Sequence, residues 1–391
     1  MKEGWEYKTL GEVGSFKRGG NFSKKDFVKD GFPCIHYGQI HTKFGIFTEK
    51  HLSCVPANIV KKERCAKKGD LVIAITSEDE EGSCKCTAWM ADYEAYVGGH
   101  TAIYSHTLNP LFMSYYFKSP IFQIEKLNYT HGFKVVEISP KDIAKIKIPI
   151  PSLEEQRRIV SYLDSSFKLI DEIKNKALKS LTEAKALFQS ALAEAMEPKE
   201  GTLMERIGDV FTTYAGGTPL KSQKDYYEGG EIPWLRSGEV CKKYISETEL
   251  YITQKGMDNS SAKFYPENTV VVAMYGATAA QVGILKIKAT SNQAVCGIIP
   301  HKDFIPEYVY YWFLFVQDDL ASQAQGGAQP NISQIKIKNV LIPIINKEEQ
   351  KRIVSRLDKL SSKVRAIEEK YQKMVEECDA LKQAMLRDVF E

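Results

Sequence analysis

The stretch ISPKDIAKIKIPIPSLEEQRRIVSYLD at residues 138–164 returns as ISQIKIKNVLIPIINKEEQKRIVSRLD at residues 332–358, identical without a gap at about 15 of 27 positions. In each copy an alternating apolar segment (Ile146, Ile148, Ile150; Val340, Ile342, Ile344) runs through Pro149 or Pro343 into Glu-Glu-Gln and then into a long helical pattern. Strand, turn, helix is the reading for both.

The apolar positions of the two helices keep a period near 3.5 residues, the period of a coiled coil. The second seam reads Ile353, Leu357, Leu360, Val364, Ile367, Tyr371, Met374, Cys378, Leu381 and Met385. The matching first seam reads Ile159, Leu163, Ser166, Ile170, Ile173, Ala177, Ser180, Ala184, Leu187 and Ala191. One seam is bulky and the other partly small, so the two helices are expected to pair within the chain. Each covers about 44 residues, or roughly 66 Å at 1.5 Å per residue. A rod of that length, with little else to bury it, acts as a spacer.

At 391 residues the chain has room for two or three cores. No basic-then-apolar leader and no apolar run of spanning length is visible, so a cytoplasmic protein without a membrane segment is expected. The eight cysteines are Cys34, Cys54, Cys65, Cys84, Cys86, Cys241, Cys296 and Cys378, none in zinc-ribbon pairs. Five share the first 150 residues with His36, His41 and His51, which leaves a zinc site open there, although reduced thiols are the simpler account. The formal charge is only +3, so any nucleic-acid surface must be local. Residues 1–150 hold more Lys and Arg than Asp and Glu, whereas residues 201–346 are balanced.

The repeat extends beyond the opening stretch. Leu10-Gly11-Glu12-Val13 answers Ile207-Gly208-Asp209-Val210, Gly19-Gly20 answers Gly216-Gly217, and Pro33-Cys34-Ile35 answers Pro233-Trp234-Leu235. Gly69 to Ala74 corresponds to Asn268 to Ala273, and the aromatic run Tyr115-Tyr116-Phe117 to Tyr310-Tyr311-Trp312-Phe313. Buried strands are expected at Leu71 to Ile75, Ala102 to Tyr104, Val270 to Met274 and Val295 to Pro300. Helices are expected near Leu111 to Leu127 and Pro306 to Ala324. The chain therefore reads as α+β half, long helix, α+β half, long helix, with Pro198 and Gly201 ending the first helix.

At Gly216-Gly217-Thr218-Pro219 and Tyr226 to Trp234 the second half resembles the opening of a target-recognition domain from the specificity subunit of type I restriction-modification systems. Tyr275-Gly276-Ala277-Thr278, Asn292-Gln293-Ala294-Val295 and Gly326-Gly327-Ala328-Gln329-Pro330-Asn331-Ile332-Ser333 resemble later motifs of that domain. Ile342-Pro343, Glu348-Glu349-Gln350 and Ile353-Val354 resemble the start of the family's conserved helix. The first half departs from the pattern: it has Gly20-Asn21-Phe22 and Phe32-Pro33-Cys34 in place of the Gly-Thr-Pro and Ile-Pro-Trp signatures, and His100-Thr101 where the Asn-Gln motif is expected.

The resemblance implies an α+β fold with two similar target-recognition domains, residues 1–151 and 198–346, and two conserved spacer helices, residues 152–197 and 347–391. The helices are expected to form an intramolecular antiparallel coiled coil with a pseudo-two-fold repeat and a domain at each end. It further implies that each domain reads one half of an asymmetric, bipartite duplex target, half-sites in a true dimer lying about 34–36 Å apart. The expected partners are double-stranded DNA, two modification (methyltransferase) subunits docked on the helices, and the restriction (translocase and nuclease) subunit. No cofactor is expected on this chain, S-adenosylmethionine belonging to the methyltransferase subunit.

Enzyme signatures are weak by comparison. Asn109-Pro110-Leu111-Phe112 is reminiscent of the Asn-Pro-Pro-Phe motif of adenine methyltransferases but lacks its second proline, and no glycine-rich cofactor loop stands near it. No P-loop is present. The run Glu78-Asp79-Glu80-Glu81 reads as a solvated loop rather than a metal site. A stand-alone methyltransferase or nuclease is the alternative reading, and a coiled-coil factor that touches only protein is a third.

Base and phosphate contacts are expected from polar side chains on loops. In the first half the candidates are Lys17, Arg18, Asn21, Lys24, Lys25, His36, Tyr37, Gln39, Lys43, Thr76 and Ser77. In the second they are Thr218, Lys221, Ser222, Lys224, Arg236, Ser237, Lys242, Lys243, Tyr275, Thr278 and Gln281. Capping or surface roles are the competing explanation for each. Gly217, Pro219, Pro233 and Trp234 are expected to shape loops, and Asn292 and Gln293 to be buried hydrogen-bonders.

Overall fold

The computed structural model describes residues 4–132, 135–323 and 331–391. The glycine-rich part of the last motif, Gly326 to Pro330, lies outside these residues. The chain divides into two compact units, Met1–Leu178 with Gln372–Glu391, and Lys179–Tyr371.

In the first unit a five-stranded sheet is ordered Gly14–Arg18, Thr101–His106, Leu71–Ala74, Cys86–Trp89, Phe47–Thr48, antiparallel except for the last pair. A second sheet is ordered Ser53–Val55, Phe32–Ile35, Ala95–Val97, Cys65–Ala66, with Phe32–Ile35 and Ala95–Val97 parallel. The second unit repeats this plan. Its five strands run Thr213–Ala215, Val295–Ile298, Val270–Ala273, Val282–Leu285, Tyr244–Ile245, and its smaller sheet Leu250–Ile252, Ile232–Leu235, Thr290–Ser291. The central strands, rich in Val and Ile, are buried on both faces, which suits β-branched side chains. The aromatic helices are shorter than the periodicity predicts. Pro120 lacks an N–H and starts a new turn, giving Pro110–Lys118 and Pro120–Glu125, while the second unit has Pro306–Phe315 and Gln317–Ser322.

Several identities of the repeated stretch have a structural reason. Ile138 and Ile332 are fully buried and donate backbone hydrogen bonds to Ile75 and Met274. Ser139 and Ser333 cap the short helices Pro140–Ile143 and Gln334–Lys338. Lys147–Ile150 pairs antiparallel with Glu6–Thr9, and Leu341–Pro343 with Met204–Arg206. The buried Gln156 side chain then accepts from Asn109 N (2.8 Å) and donates to Pro151 O (2.9 Å). Gln350 does the same with Ile305 N (2.8 Å) and Ile345 O (2.9 Å). Each glutamine thereby ties the start of its long helix to the loop before an aromatic helix.

The long helices are Leu153–Met196 and Lys347–Phe390. Within the first unit they run antiparallel, as the crossed ion pairs Lys174–Asp379 (2.6 Å) and Asp171–Lys382 (2.5 Å) require. In the second unit Arg356 pairs with Glu194 at 3.0 Å. The end of each helix completes a core it does not begin: Leu386, Val389 and Phe390 join Phe112 and Tyr116 in the first unit, while Leu192 and Met196 join Trp312 and Leu357 in the second.

The predicted seam is corrected at alternate positions. Leu163, Ile170, Ala177, Ala184, Leu357, Val364 and Cys378 are buried as expected, but Ile173, Leu187, Ile367 and Leu381 are exposed. Their neighbours Lys174, Phe188, Glu368 and Lys382 are the partly buried ones. The cause is visible in the ion pairs: Lys174 and Lys382 lay their alkyl stems in the seam while the ammonium groups reach carboxylates, so polar residues fill positions that an apolar count assigns to isoleucine and leucine.

Candidate nucleic-acid interface

The first unit gathers most of its predicted residues on one side. Gly19 crosses so close to the Gly98 carbonyl that a side chain at residue 19 would overlap it, and Gly216 crosses Ser291 in the same way. This crossing forms a bare backbone floor. Around it Arg18, Asn21, Lys24, Lys25, His36, Tyr37 and His100 line a cleft of about 640 Å³. A second cleft of about 630 Å³ shares Lys24, Tyr37 and His100 with it and continues past His41, Thr76, Ser77 and Lys85. Tyr37 stands among three imidazoles, with ring centroids 4.5 Å from His36, 6.0 Å from His41 and 5.4 Å from His100. Burial, with Lys24 nearby, holds His36 below its ordinary pKa, and burial does the same for His41. The His36 and His41 rings are therefore neutral near pH 7 and each pairs one donor nitrogen with one acceptor.

Other predicted residues are positioned differently. Gln39 is buried, accepting from His36 N (2.9 Å) and donating to Ser53 Oγ (2.7 Å), and His36 Nδ1 caps Gly38 N at 3.1 Å. Lys17 and Lys43 are exposed but line neither cleft. Arg18 forms an exposed ion pair with Glu137 at 2.9 Å. The Glu78 to Glu81 run is exposed at the rim.

In the second unit Thr218 hydrogen-bonds Gln293, and Lys221, Ser222 and Lys224 follow on an exposed loop. Arg236 is paired with Glu249 and Glu239, Ser237 starts the short turn Ser237–Glu239, and Lys242 is exposed. Tyr275 is exposed before the turn Gly276–Thr278. Lys243 is turned inward, its ammonium bonded to Asp358 and to Tyr311 Oη (3.2 Å). The Gln281 Oε1 is buried. Trp234 donates to Gly217 O at 2.9 Å and so shapes the loop. Asn292 caps Ala294 N at 3.1 Å, but Gln293 is exposed, contrary to expectation.

His41, Lys85 and His100 line the clefts and Gln293 is exposed, although sequence reading placed none of them among the DNA-contact candidates. That reading also misaligned the Asn-Gln motif: Gly98 N donates to Ile35 O just as Asn292 N donates to Leu235 O, both at 2.9 Å, so Gly98-Gly99 stands in its place and His100 answers Ala294.

Catalytic signals are accounted for locally. Asn109 Oδ1 accepts from Leu111 N (3.0 Å) and Phe112 N (3.1 Å), the bonds of a helix cap. Among the described residues no group of His, Cys, Asp and Glu is arranged to hold a metal ion, and burial pushes the thiols of Cys34 and Cys65 up to about 12 and about 11. No helix among them is long and apolar enough to cross a membrane.

Comparison with known proteins agrees with this arrangement. The family described as type I restriction modification DNA specificity domain matches twice, over residues 2–183 and 200–377. The specificity subunit of the Escherichia coli type I enzyme EcoR124I/EcoR124II is 30% identical over 236 residues, covering 58% of this chain and 57% of that protein; the chain thus spans little over half the length of this relative. The EcoKI specificity subunit of Escherichia coli K12 is 22% identical across all of this chain and 89% of its own. A structure from a study of complex assembly and conformational transition of the type I R-M system superposes with a TM-score of 0.79, at 19% identity over 100% of this chain and 98% of that one. The HsdS subunit from Thermoanaerobacter tengcongensis superposes at 0.57, at 19% identity over 100% and 97%. Two family matches that together span most of the sequence, on a fold built twice, establish that the chain belongs to the type I restriction-modification DNA specificity family.

Proposed function

We propose that this chain is a non-catalytic specificity subunit that reads a bipartite, asymmetric duplex target, one half with each recognition domain, and holds two methyltransferase subunits over it. The observation that carries the reading is duplication with divergence: one fold built twice, with His36, Tyr37 and His100 at the first cleft and Arg236, Ser237 and Ala294 at the matching positions. A repeated scaffold bearing different polar groups suits two unlike half-sites. The long helices fix the gap between them.

The exposed residues of the helices support docking of two copies of one partner. Ile173 (49% exposed) and Leu381 (51%) lie in the first unit, Leu187 (58%) and Ile367 (39%) in the second. By the 194-residue offset of the repeat Ile173 answers Ile367 and Leu187 answers Leu381, so each unit offers one equivalent Ile/Leu pair. A restriction subunit would join the same cytoplasmic assembly.

Gel shifts with the methyltransferase subunits present test the reading. Duplex carrying both half-sites at the native gap should bind far more tightly than duplex whose spacer is lengthened by a few base pairs. Equal binding would overturn it.

A further inference from the structure

Resting on that reading, we propose that His100 is a specificity-determining residue of the first recognition domain, its Nε2 hydrogen-bonding the major-groove edge of one base. Three independent features place it there. It lines both clefts, where they meet. Its backbone is left-handed at φ +62°, a conformation uncommon for a residue with a side chain, and the residue is exposed directly after the Gly98-Gly99 floor. Its ring is oriented from behind, since Nδ1 lies 3.1 Å from Thr76 Oγ1 and Tyr37 packs edge-on at 5.4 Å.

Thr76 Oγ1 occupies Nδ1 at 3.1 Å, which leaves Nε2 as the ring nitrogen to meet a base edge. The major-groove edge carries acceptors at purine N7, guanine O6 and thymine O4 and donors at the adenine and cytosine amines, so a ring nitrogen held against it distinguishes bases by the group that stands opposite. The second unit has Ala294 at this position and places the exposed Gln293 one residue earlier, so the two domains differ where a reader would have to differ.

Selection of bound duplexes from a randomised pool, using the complex with its methyltransferase subunits, tests this. His100→Asn keeps a residue that tolerates the left-handed backbone, and His100→Ala removes the ring. Both should make one position of one half-site degenerate by about tenfold or more in base preference while the other half-site is unchanged. Thr76→Val, which leaves His100 in place but unoriented, should relax the same position more weakly. Unchanged preferences in both His100 variants, or affinity lost equally for every sequence, would overturn the assignment. A wild-type complex that selects no two-part motif would instead overturn the recognition reading beneath it.

Discussion

The Tyr115 hydroxyl donates to Asp164 Oδ1 across 2.6 Å, and Tyr311 makes the same bond to Asp358 at 2.5 Å. Burial and the adjacent carboxylate both push the two phenols above their ordinary range, so neither ionises in the working pH range. Each bond ties an aromatic helix to a spacer helix at the residue directly after the buried Leu163 or Leu357. Tyr115→Phe should cost about 1.5–3 kcal/mol, the worth of a hydrogen bond to a charged group, read by chemical denaturation, and Tyr311→Phe should match it.

At the start of the spacer helices Gln156 holds two backbone groups and Gln350 three, Asp303 O being the third. Gln156→Ala leaves Asn109 N and Pro151 O without their partner in a site closed to water, and should destabilise by about 2–4 kcal/mol on the basis of two unsatisfied groups. Gln350→Ala should do the same to the second unit. A loss below 0.5 kcal/mol, within the ordinary surface range, would show that the loops do not depend on these side chains.

Lys243 and Lys24 should separate cleanly. Lys243 is committed to Asp358 and Tyr311, so Lys243→Met should lower stability and leave the salt dependence of DNA binding unchanged. Lys24 lines both clefts and is exposed. Lys24→Ala should reduce the slope of log K against log salt by about 0.9, the value of one released phosphate contact.

His106 is a pH probe of the first unit. Burial lowers its pKa from 6.5 to about 4, and the Tyr104 ring lies tilted against it with centroids 5.0 Å apart. The folded value lies below the unfolded one, so between pH 6.5 and 4 the unfolded chain binds a proton that the native chain refuses, and stability falls as pH falls. The loss across that window should approach about 3 kcal/mol and be absent in His106→Phe, so thermal melts of the two should diverge only below pH 6.5.

The exposed Ile/Leu pairs should matter to assembly and not to folding. Ile173→Asp with Leu381→Asp should abolish capture of one methyltransferase subunit, and Leu187→Asp with Ile367→Asp the other, with melting temperature nearly unchanged. Native mass spectrometry reads the stoichiometry. Two subunits retained in both variants would place the docking surface elsewhere.

The chain alone determined the duplication, the α+β halves and the long helices, because strand alternation and heptad spacing are periodic and survive in a linear string. The alternating isoleucines of the repeated stretch marked a buried strand in advance, whereas the capping role of its serine and the locking role of its glutamine emerged only with the fold. What tertiary structure decided were the places where a neighbour from far along the chain outbids the local pattern. Lys174 sits in the seam rather than Ile173 because Asp379, two hundred residues away, is there to receive its charge. Gln39 and Lys243 left the set of groove-facing residues because Ser53 and Asp358 hold them, and His100 entered it because Thr76 and Tyr37 orient a ring that the sequence presents only as a histidine after two glycines. A side chain's direction depends on its partners, and partners across a fold are fixed by packing rather than by spacing along the chain.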